Sequence, residues 1–273
     1  MLKNTGLESD FLIDPEDVNS SKSILIDCRF SLSDPNFGRQ CYEEGHIPGA
    51  FYLHLENNLS SVVGRHGGRH PLPEPKSFAA CLARCGVGAT TKVVVYDDSR
   101  MAFASRLWWM MKSLGYLPPK IINGGYKAWL DLGNTPDNVL PDSVSSKVGE
   151  VAKEFRSTCD IDMLRDFQSE NLSLVDSREH TRYLGLEEPI DPVAGHIPGA
   201  LNRPWVCVTD DRGKLLPNDI QSRHWGDVLQ SERIVVYCGS GVTACVNLLS
   251  LHGLGRDDAI LYPGSWSDWC SYL

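Results

Sequence analysis

His46-Ile-Pro-Gly-Ala50 recurs as His196-Ile-Pro-Gly-Ala200, 150 residues further along a chain of 273. The repeat does not stand alone. Upstream of each copy lies a short apolar run that ends in an acid and an arginine, Ile24-Leu-Ile-Asp27-Cys-Arg29 and Leu174-Val-Asp176-Ser-Arg178. Downstream, Val93-Val-Val-Tyr96-Asp97 matches Ile234-Val-Val-Tyr237-Cys238, and Gly124-Gly-Tyr-Lys-Ala-Trp129 matches Gly264-Ser-Trp-Ser-Asp-Trp269. One such match is within reach of chance recurrence of turn chemistry. Four in one order at nearly constant spacing mark two copies of one domain.

Each copy alternates apolar strands with helical stretches. In the first, strands are expected over 23–27, 93–96 and 120–122, and helices over 75–85, 103–114 and 126–132. In the second, strands are expected over 172–176, 233–237 and 258–261, and helices over 160–168, 218–230 and 242–252. The central strands are apolar throughout, as in parallel strands buried on both faces. The fold class is therefore α/β: two tandem domains, each a mainly parallel sheet flanked by helices. The boundaries fall at 8–135 and 158–273, with the polar, turn-rich stretch 136–157 as linker.

Composition narrows the function. Hydrophobic residues make up 42% and charged residues 22%, ordinary for a soluble globular chain. Acidic residues (35) outnumber basic ones (26) for a net charge of −9, which disfavours nucleic acid and anionic membranes as partners. The first ten residues hold no apolar core of a signal peptide, and no apolar run is long enough to span a bilayer. Nine cysteines, an odd number with no Cys-x-x-Cys, argue against a disulfide framework or a structural metal site. The expected compartment is the cytoplasm, with no metal and no organic cofactor.

Cys238 is the residue with a catalyst's neighbourhood. It closes a β-branched strand and opens the small-residue loop Cys238-Gly-Ser-Gly-Val-Thr243, beyond which the chain turns helical. Unpaired N–H groups and the positive end of a helix dipole favour a thiolate there. Asp97 holds the matching place in the first copy, so only the second copy can use a thiol. A cysteine phosphatase would need an arginine six residues after its cysteine; position 244 is alanine, and Lys and Arg are absent from 234 to 255.

Taken together, the tandem Asp-x-Arg, Gly-His-Ile-Pro-Gly-Ala and cysteine-loop segments resemble the two-domain rhodanese sulfurtransferases over almost the whole chain. The loop is similar to the 3-mercaptopyruvate branch; thiosulfate members usually carry basic residues in place of Gly239 and Ser240. Arg69-His-Pro-Leu-Pro73 and Ser105-Arg-Leu-Trp-Trp109 are similar to that branch too. The resemblance implies that Cys238 carries a sulfane sulfur as a persulfide from 3-mercaptopyruvate or thiosulfate to a thiol or cyanide. A thioredoxin-like protein is among the acceptors it admits. A carrier that passes sulfur to a partner without turnover is the other reading left open. Arg182 falls where the family binds the donor's anionic group, while Gly239, Gly241, Val242 and Thr243 would line the persulfide. Ser240 and His46 match the serine and histidine of a proton relay assigned to the branch, with no secure match for its aspartate. The second arginine usual after Arg182 is missing from Glu187-Glu-Pro-Ile-Asp-Pro192. Arg178 is expected to pair with Asp176, and His196 to fix its turn. Trp108, Trp109 and Cys28 are expected in the core, and Cys245 away from the loop. His66 and His70 lie in a Gly/Arg-rich loop, lining the pocket or exposed.

Overall fold

A computed structural model describes residues 10–142, 152–167 and 172–273. Part of the expected linker, 143–151, and residues 8, 9 and 168 of other predicted segments lie outside the described residues. The first sheet holds β1 (Leu12–Ile13), β2 (Ile24–Asp27), β3 (Phe51–Tyr52), β4 (Val93–Tyr96) and β5 (Lys120–Ile122), in the order β1-β5-β4-β2-β3. The second holds β6 (Leu172–Asp176), β7 (Leu201–Asn202), β8 (Arg233–Tyr237) and β9 (Ile260–Leu261), in the order β7-β6-β8-β9. Every pairing is parallel, as the continuous apolar runs require.

Helices α1 (Phe37–Glu44), α2 (Leu55–Asn58), α3 (Pro75–Arg84), α4 (Ala104–Ser113) and α5 (Gly125–Asp131) flank the first sheet. The second carries α6 (Ile161–Phe167), α7 (His180–Tyr183), α8 (Asn218–Trp225), α9 (Ala244–Gly253) and α10 (Ser265–Trp269). The helix expected over 218–230 ends at Trp225 because Gly226 takes φ +53°, and a 3-10 turn continues to Gln230. β3, β7 and the four-residue helices were too short to show a period.

The repeated motifs build the same network twice. Arg29 and Arg178 each lay a guanidinium on the aspartate two residues before, Nη2 to Oδ2 at 2.7 Å in both copies. The same Nη2 donates onward to the carbonyl before the His-Ile-Pro-Gly turn, Gly45 at 2.7 Å and Gly195 at 2.6 Å. Tyr96 and Tyr237 accept the N–H of Ile47 and Ile197. His46 stacks on Tyr42 and meets its carbonyl at 2.7 Å; His196 stacks on Tyr183 and meets its carbonyl at 2.8 Å. Strand end and turn are thus fixed by one buried arginine per copy.

The domains share a core. α4 packs on α9, and Leu107, Trp108 and Met111 join one apolar cluster with Val242, Cys245 and Leu248. The chain before α6 is packed as well: Phe155 stacks on Trp109, and Ser113 Oγ donates to the Arg156 carbonyl.

Replacing Arg178 with Met should leave the Asp176 carboxylate buried without its countercharge and Glu188 with Arg182 alone. A loss of about 3–5 kcal/mol is expected, read as a lower urea midpoint; an unchanged midpoint would show that the pairs contribute nothing net.

Candidate active site

β8 delivers Cys238 to the carboxyl end of the second sheet, beneath the N-terminus of α9. The thiol is buried, 2% exposed. Gly241 donates its N–H to Sγ at 3.2 Å, and the Cys238 N–H is held by Ser265 Oγ at 3.1 Å. Gly241 sits at φ +74°, and a Cβ there would stand 2.4 Å from the Pro263 carbonyl oxygen, so only glycine closes this loop. Among the described residues, the N–H groups of Ser240, Val242 and Ala244 make no hydrogen bond within the protein.

The first copy shows what such donors do. Asp97 stands where Cys238 stands, and its carboxylate accepts four N–H groups: Ser99 at 2.8 Å, Met101 at 3.1 Å, Phe103 at 2.9 Å and Ala104 at 2.8 Å. Ser99, Met101 and Phe103 precede Ser240, Val242 and Ala244 by the same 141 residues that separate Asp97 from Cys238. Burial pushes the Asp97 carboxyl up to about 6, against the pull of those hydrogen bonds, and leaves it ionised at neutral pH. The cradle at a strand end is thus an anion site in copy one.

The imidazole that reaches the cysteine loop is His70, not His46. His70 Nδ1 lies 2.7 Å from Ser240 Oγ. Both ring nitrogens of His46 are engaged elsewhere, Nδ1 with the Tyr42 carbonyl and Nε2 with the Val139 carbonyl at 3.2 Å, so His46 fixes its turn as His196 does. The expected His46–Ser240 pair is therefore not formed. Burial, with Arg106 and Arg69 nearby, lowers the His70 pKa from 6.5 to about 3, so its ring is neutral around neutrality.

His70 arrives on a loop of the first domain that is pinned across the interface. Gly67 N–H donates to Asp268 Oδ1 at 2.7 Å, Arg69 N–H to Ser267 Oγ at 3.1 Å, and His66 Nδ1 lies 2.7 Å from Ser271 Oγ. Gly68 takes φ +80°, and a Cβ there would meet the Gly264 carbonyl oxygen at 2.4 Å. Beneath the loop, Arg106 is fully buried, and no carboxylate pairs with it among the described residues. It donates to the carbonyls of Gly241 at 2.9 Å and His70 at 3.0 Å, and burial lowers its pKa against the attraction of the Cys245 and Cys238 thiols. Cys245 is not remote: its thiol faces the Gly241 carbonyl at 3.5 Å.

Arg182 stands over the loop, with Nη1 and Nη2 each 3.5 Å from where a Cβ of Gly239 would lie. The stretch 187–192 that lacks an arginine instead supplies carboxylates: Glu188 accepts from Arg182 Nη2 at 2.7 Å, and Asp191 Oδ2 from the same atom at 3.2 Å. Arg178 pairs with Asp176 as expected and also reaches Glu188 at 3.2 Å. Val242 is buried in the loop; Thr243 occupies the N-cap position of α9 without a side-chain cap bond. His70, expected either to line the pocket or to be exposed, lines it; Arg69, Arg106, Glu188 and Asp191 have no role of their own assigned from the sequence. Among the described residues there is no cluster of three His, Cys, Asp or Glu able to hold a metal, and no helix long and apolar enough to cross a membrane.

A strand-end cysteine in one copy of a duplicated α/β domain, matched by an acid at the same place in the other, fits a two-domain sulfurtransferase. The rhodanese-like domain matches residues 14–132 and again 161–272, and the chain belongs to the rhodanese family. It is 39% identical over 263 residues to the "Probable 3-mercaptopyruvate sulfurtransferase" of Pseudomonas aeruginosa, covering 90% of this chain and 88% of that one. It is 31% identical over 259 residues to the thiosulfate sulfurtransferase of Cricetulus griseus, covering 90% and 84%. The structure of 3-mercaptopyruvate sulfurtransferase from Leishmania major superposes with a TM-score of 0.83 at 29% identity, covering 97% of this chain and 76% of that one.

The buried neutral His70 ties stability to pH. The unfolded chain takes up this proton near pH 6.5, whereas the folded site refuses it until about pH 3. Stability should therefore decline as pH falls below 6.5. His70→Gln should flatten that decline in urea titrations across the window; an equally steep acid limb would assign it to another group.

Proposed function

We propose that the chain is a sulfurtransferase that moves the sulfur of 3-mercaptopyruvate through a Cys238 persulfide to a thiol or cyanide. One observation carries this reading. Three of the four N–H groups that hold the Asp97 carboxylate have counterparts around Cys238, at Ser240, Val242 and Ala244, and these make no hydrogen bond among the described residues, while the fourth, Cys245, bonds the Val242 carbonyl. An outer sulfur on Cys238 would place negative charge where copy one keeps an oxyanion.

The steps balance without a cofactor. The Cys238 thiolate attacks the donor's sulfur, the carbon–sulfur bond breaks towards the carbon, and the thiol proton ends on that carbon as pyruvate leaves. The enzyme then holds Cys238–S–S⁻. An acceptor thiolate attacks the outer sulfur and leaves as a persulfide, restoring Cys238. Cyanide in its place leaves as thiocyanate. The neutral His70–Ser240 pair is the group placed to relay the proton in the first step. Arg182 holds the donor's carboxylate.

Gly239, Ser240 and Gly241 add little bulk beside the outer sulfur, but the loop is buried, which suits a slender acceptor such as cyanide, a small thiol or an extended cysteine of a thioredoxin-like partner. The loop brings no positive charge of its own, which favours the monoanionic 3-mercaptopyruvate over the dianionic thiosulfate.

Incubation with 3-mercaptopyruvate should add one sulfur atom to the intact protein by mass spectrometry, removed by cyanide or a thiol, and Cys238→Ser should neither gain it nor turn over. Failure of the wild type to gain sulfur from either donor would overturn the proposal. A higher kcat/KM for thiosulfate would reverse the donor assignment alone.

A further inference from the structure

We propose that Arg106, buried in the first domain, is the positioning residue of the cysteine loop and the fixed countercharge of the anion that forms on Cys238. The inference rests on the sulfurtransferase reading only for the persulfide. The thiolate form of Cys238 tests it without any sulfur donor.

An arginine keeps its proton in proteins, so a buried one without an acid is costly and calls for a partner. Arg106 is fully buried, and no carboxylate pairs with it among the described residues. It donates to the carbonyls of Gly241 at 2.9 Å, His70 at 3.0 Å and Leu59 at 3.4 Å, while Nε has no partner. The acidic side chains that act on it are two thiols, Cys245 and Cys238. Burial pushes the Cys245 thiol up to about 12, so it stays neutral around neutrality. The negative charge that balances Arg106 therefore belongs on Cys238.

The guanidinium also shapes the cradle. Gly241 touches both partners, its N–H donating to Cys238 Sγ at 3.2 Å and its carbonyl accepting from Arg106. The peptide joining Gly241 to Val242 is planar and trans, so its carbonyl and its N–H point opposite ways. A carbonyl held by Arg106 turns the Val242 N–H to the other side. The counterpart of that N–H in the first copy, on Met101, donates to Asp97 Oδ1 at 3.1 Å. The charge polarises the same peptide, which strengthens its N–H as a donor.

The duplication supplies a control. The residue of α9 that matches Arg106, 141 positions on, is Asn247. Its amide donates to Ser177 Oγ at 2.9 Å and to the Arg203 carbonyl at 2.7 Å, both in its own domain. The first copy holds Asp97 with backbone N–H groups alone, and the second copy sends no cation across to it from this position. The guanidinium crosses the interface towards the copy that carries the thiol.

The test is alkylation of Cys238 by iodoacetamide, followed by mass spectrometry on the peptide that holds it, from mildly acidic to alkaline pH. The charged and titratable groups around Cys238 are Arg106 and Cys245 beneath the loop, His70 through Ser240, and Arg69 and Arg182 over Gly239. The comparison is therefore repeated in a His70→Gln background, which removes the histidine's own titration from the profile. Arg106→Met should displace the profile to higher pH and slow the reaction at neutral pH about tenfold or more, because the reactive thiolate loses a nearby opposite charge. Arg106→Lys, which keeps the charge, should recover much of the rate. In the steady state, kcat should fall in Arg106→Met with the donor KM within about twofold. A folded Arg106→Met with the wild-type profile would overturn the proposal, as would a loss equal at every pH, the mark of a loop merely displaced. A raised donor KM with kcat intact would overturn it too. A wild type whose profile depends on Arg106 but which never gains sulfur would instead sink the sulfurtransferase reading and leave this role standing. Should Arg106→Met fail to fold, Arg106→Gln, which keeps a donor for the Gly241 carbonyl without the charge, carries the same comparison.

Discussion

The buried guanidinium of Arg178 is the junction on which the site depends. It ties the end of β6 through Asp176 to the turn that begins at Gly195, and through Glu188 to the segment that positions Arg182. Three parts of the chain, remote in sequence, are held at one fork because an arginine has five donors in a fixed plane. A buried charge of this kind adds little net stability against an apolar replacement of both partners. What it fixes is geometry: the loop carrying Glu188 and Asp191 cannot drift without stranding a carboxylate in the interior. Arg29 does the same for the first domain, where the fork reaches the Gly45 and Cys41 carbonyls and no donor-binding arm follows.

The duplication explains how one copy serves the other. The first strand-end loop is an anion cradle filled by Asp97, and the second sets three matching N–H groups around Cys238. The four N–H donors of the first are thereby satisfied from within, and the helix that follows, α4, is free to act as packing material against α9. The second copy leaves donors open, which is costly for a buried loop and is tolerated where a ligand completes it. Arg106 shows the same division of labour. It comes from α4, is buried without an acid, and supports the carbonyls of Gly241 and His70 from below. A cation in that position raises the local potential beneath the Cys238 thiol, so the first domain contributes charge as well as shape.

Much of this was legible in the sequence, and the residues that were not share a physical reason. Periodicity and the repeated motifs located the strands, the long helices and the α/β class, because those depend on local pattern. Cys238 was legible because its setting, strand end before a helix, is also local. His46 was misleading: its Gly-His-Ile-Pro-Gly context invites a functional role, yet the second copy repeats the motif with the same tyrosine stack and the same carbonyl bond. His70 and Arg69 were hidden because their roles depend on where a Gly/Arg-rich loop docks. Nothing in the spacing of Gly67-Gly68-Arg69-His70 says that it will cross to α10, since that docking is set by positive φ at Gly68 and by Ser267 and Asp268, some 200 residues away.

The interface is therefore better regarded as the floor and one wall of the site than as a joint between modules. The apolar cluster runs without a break from Trp108 to Cys238, and His70, Arg69 and Arg106 all reach the cysteine loop from the first domain. Interfaces between domains of one chain are by default loose and polar. This one buries tryptophan, methionine and an unpaired arginine, which ties the separation of the domains to exposure of apolar surface. A rigid frame suits sulfur transfer of this type. The loop around Cys238 is held rigid: Gly241, wedged on the Pro263 carbonyl, gives it little freedom to move.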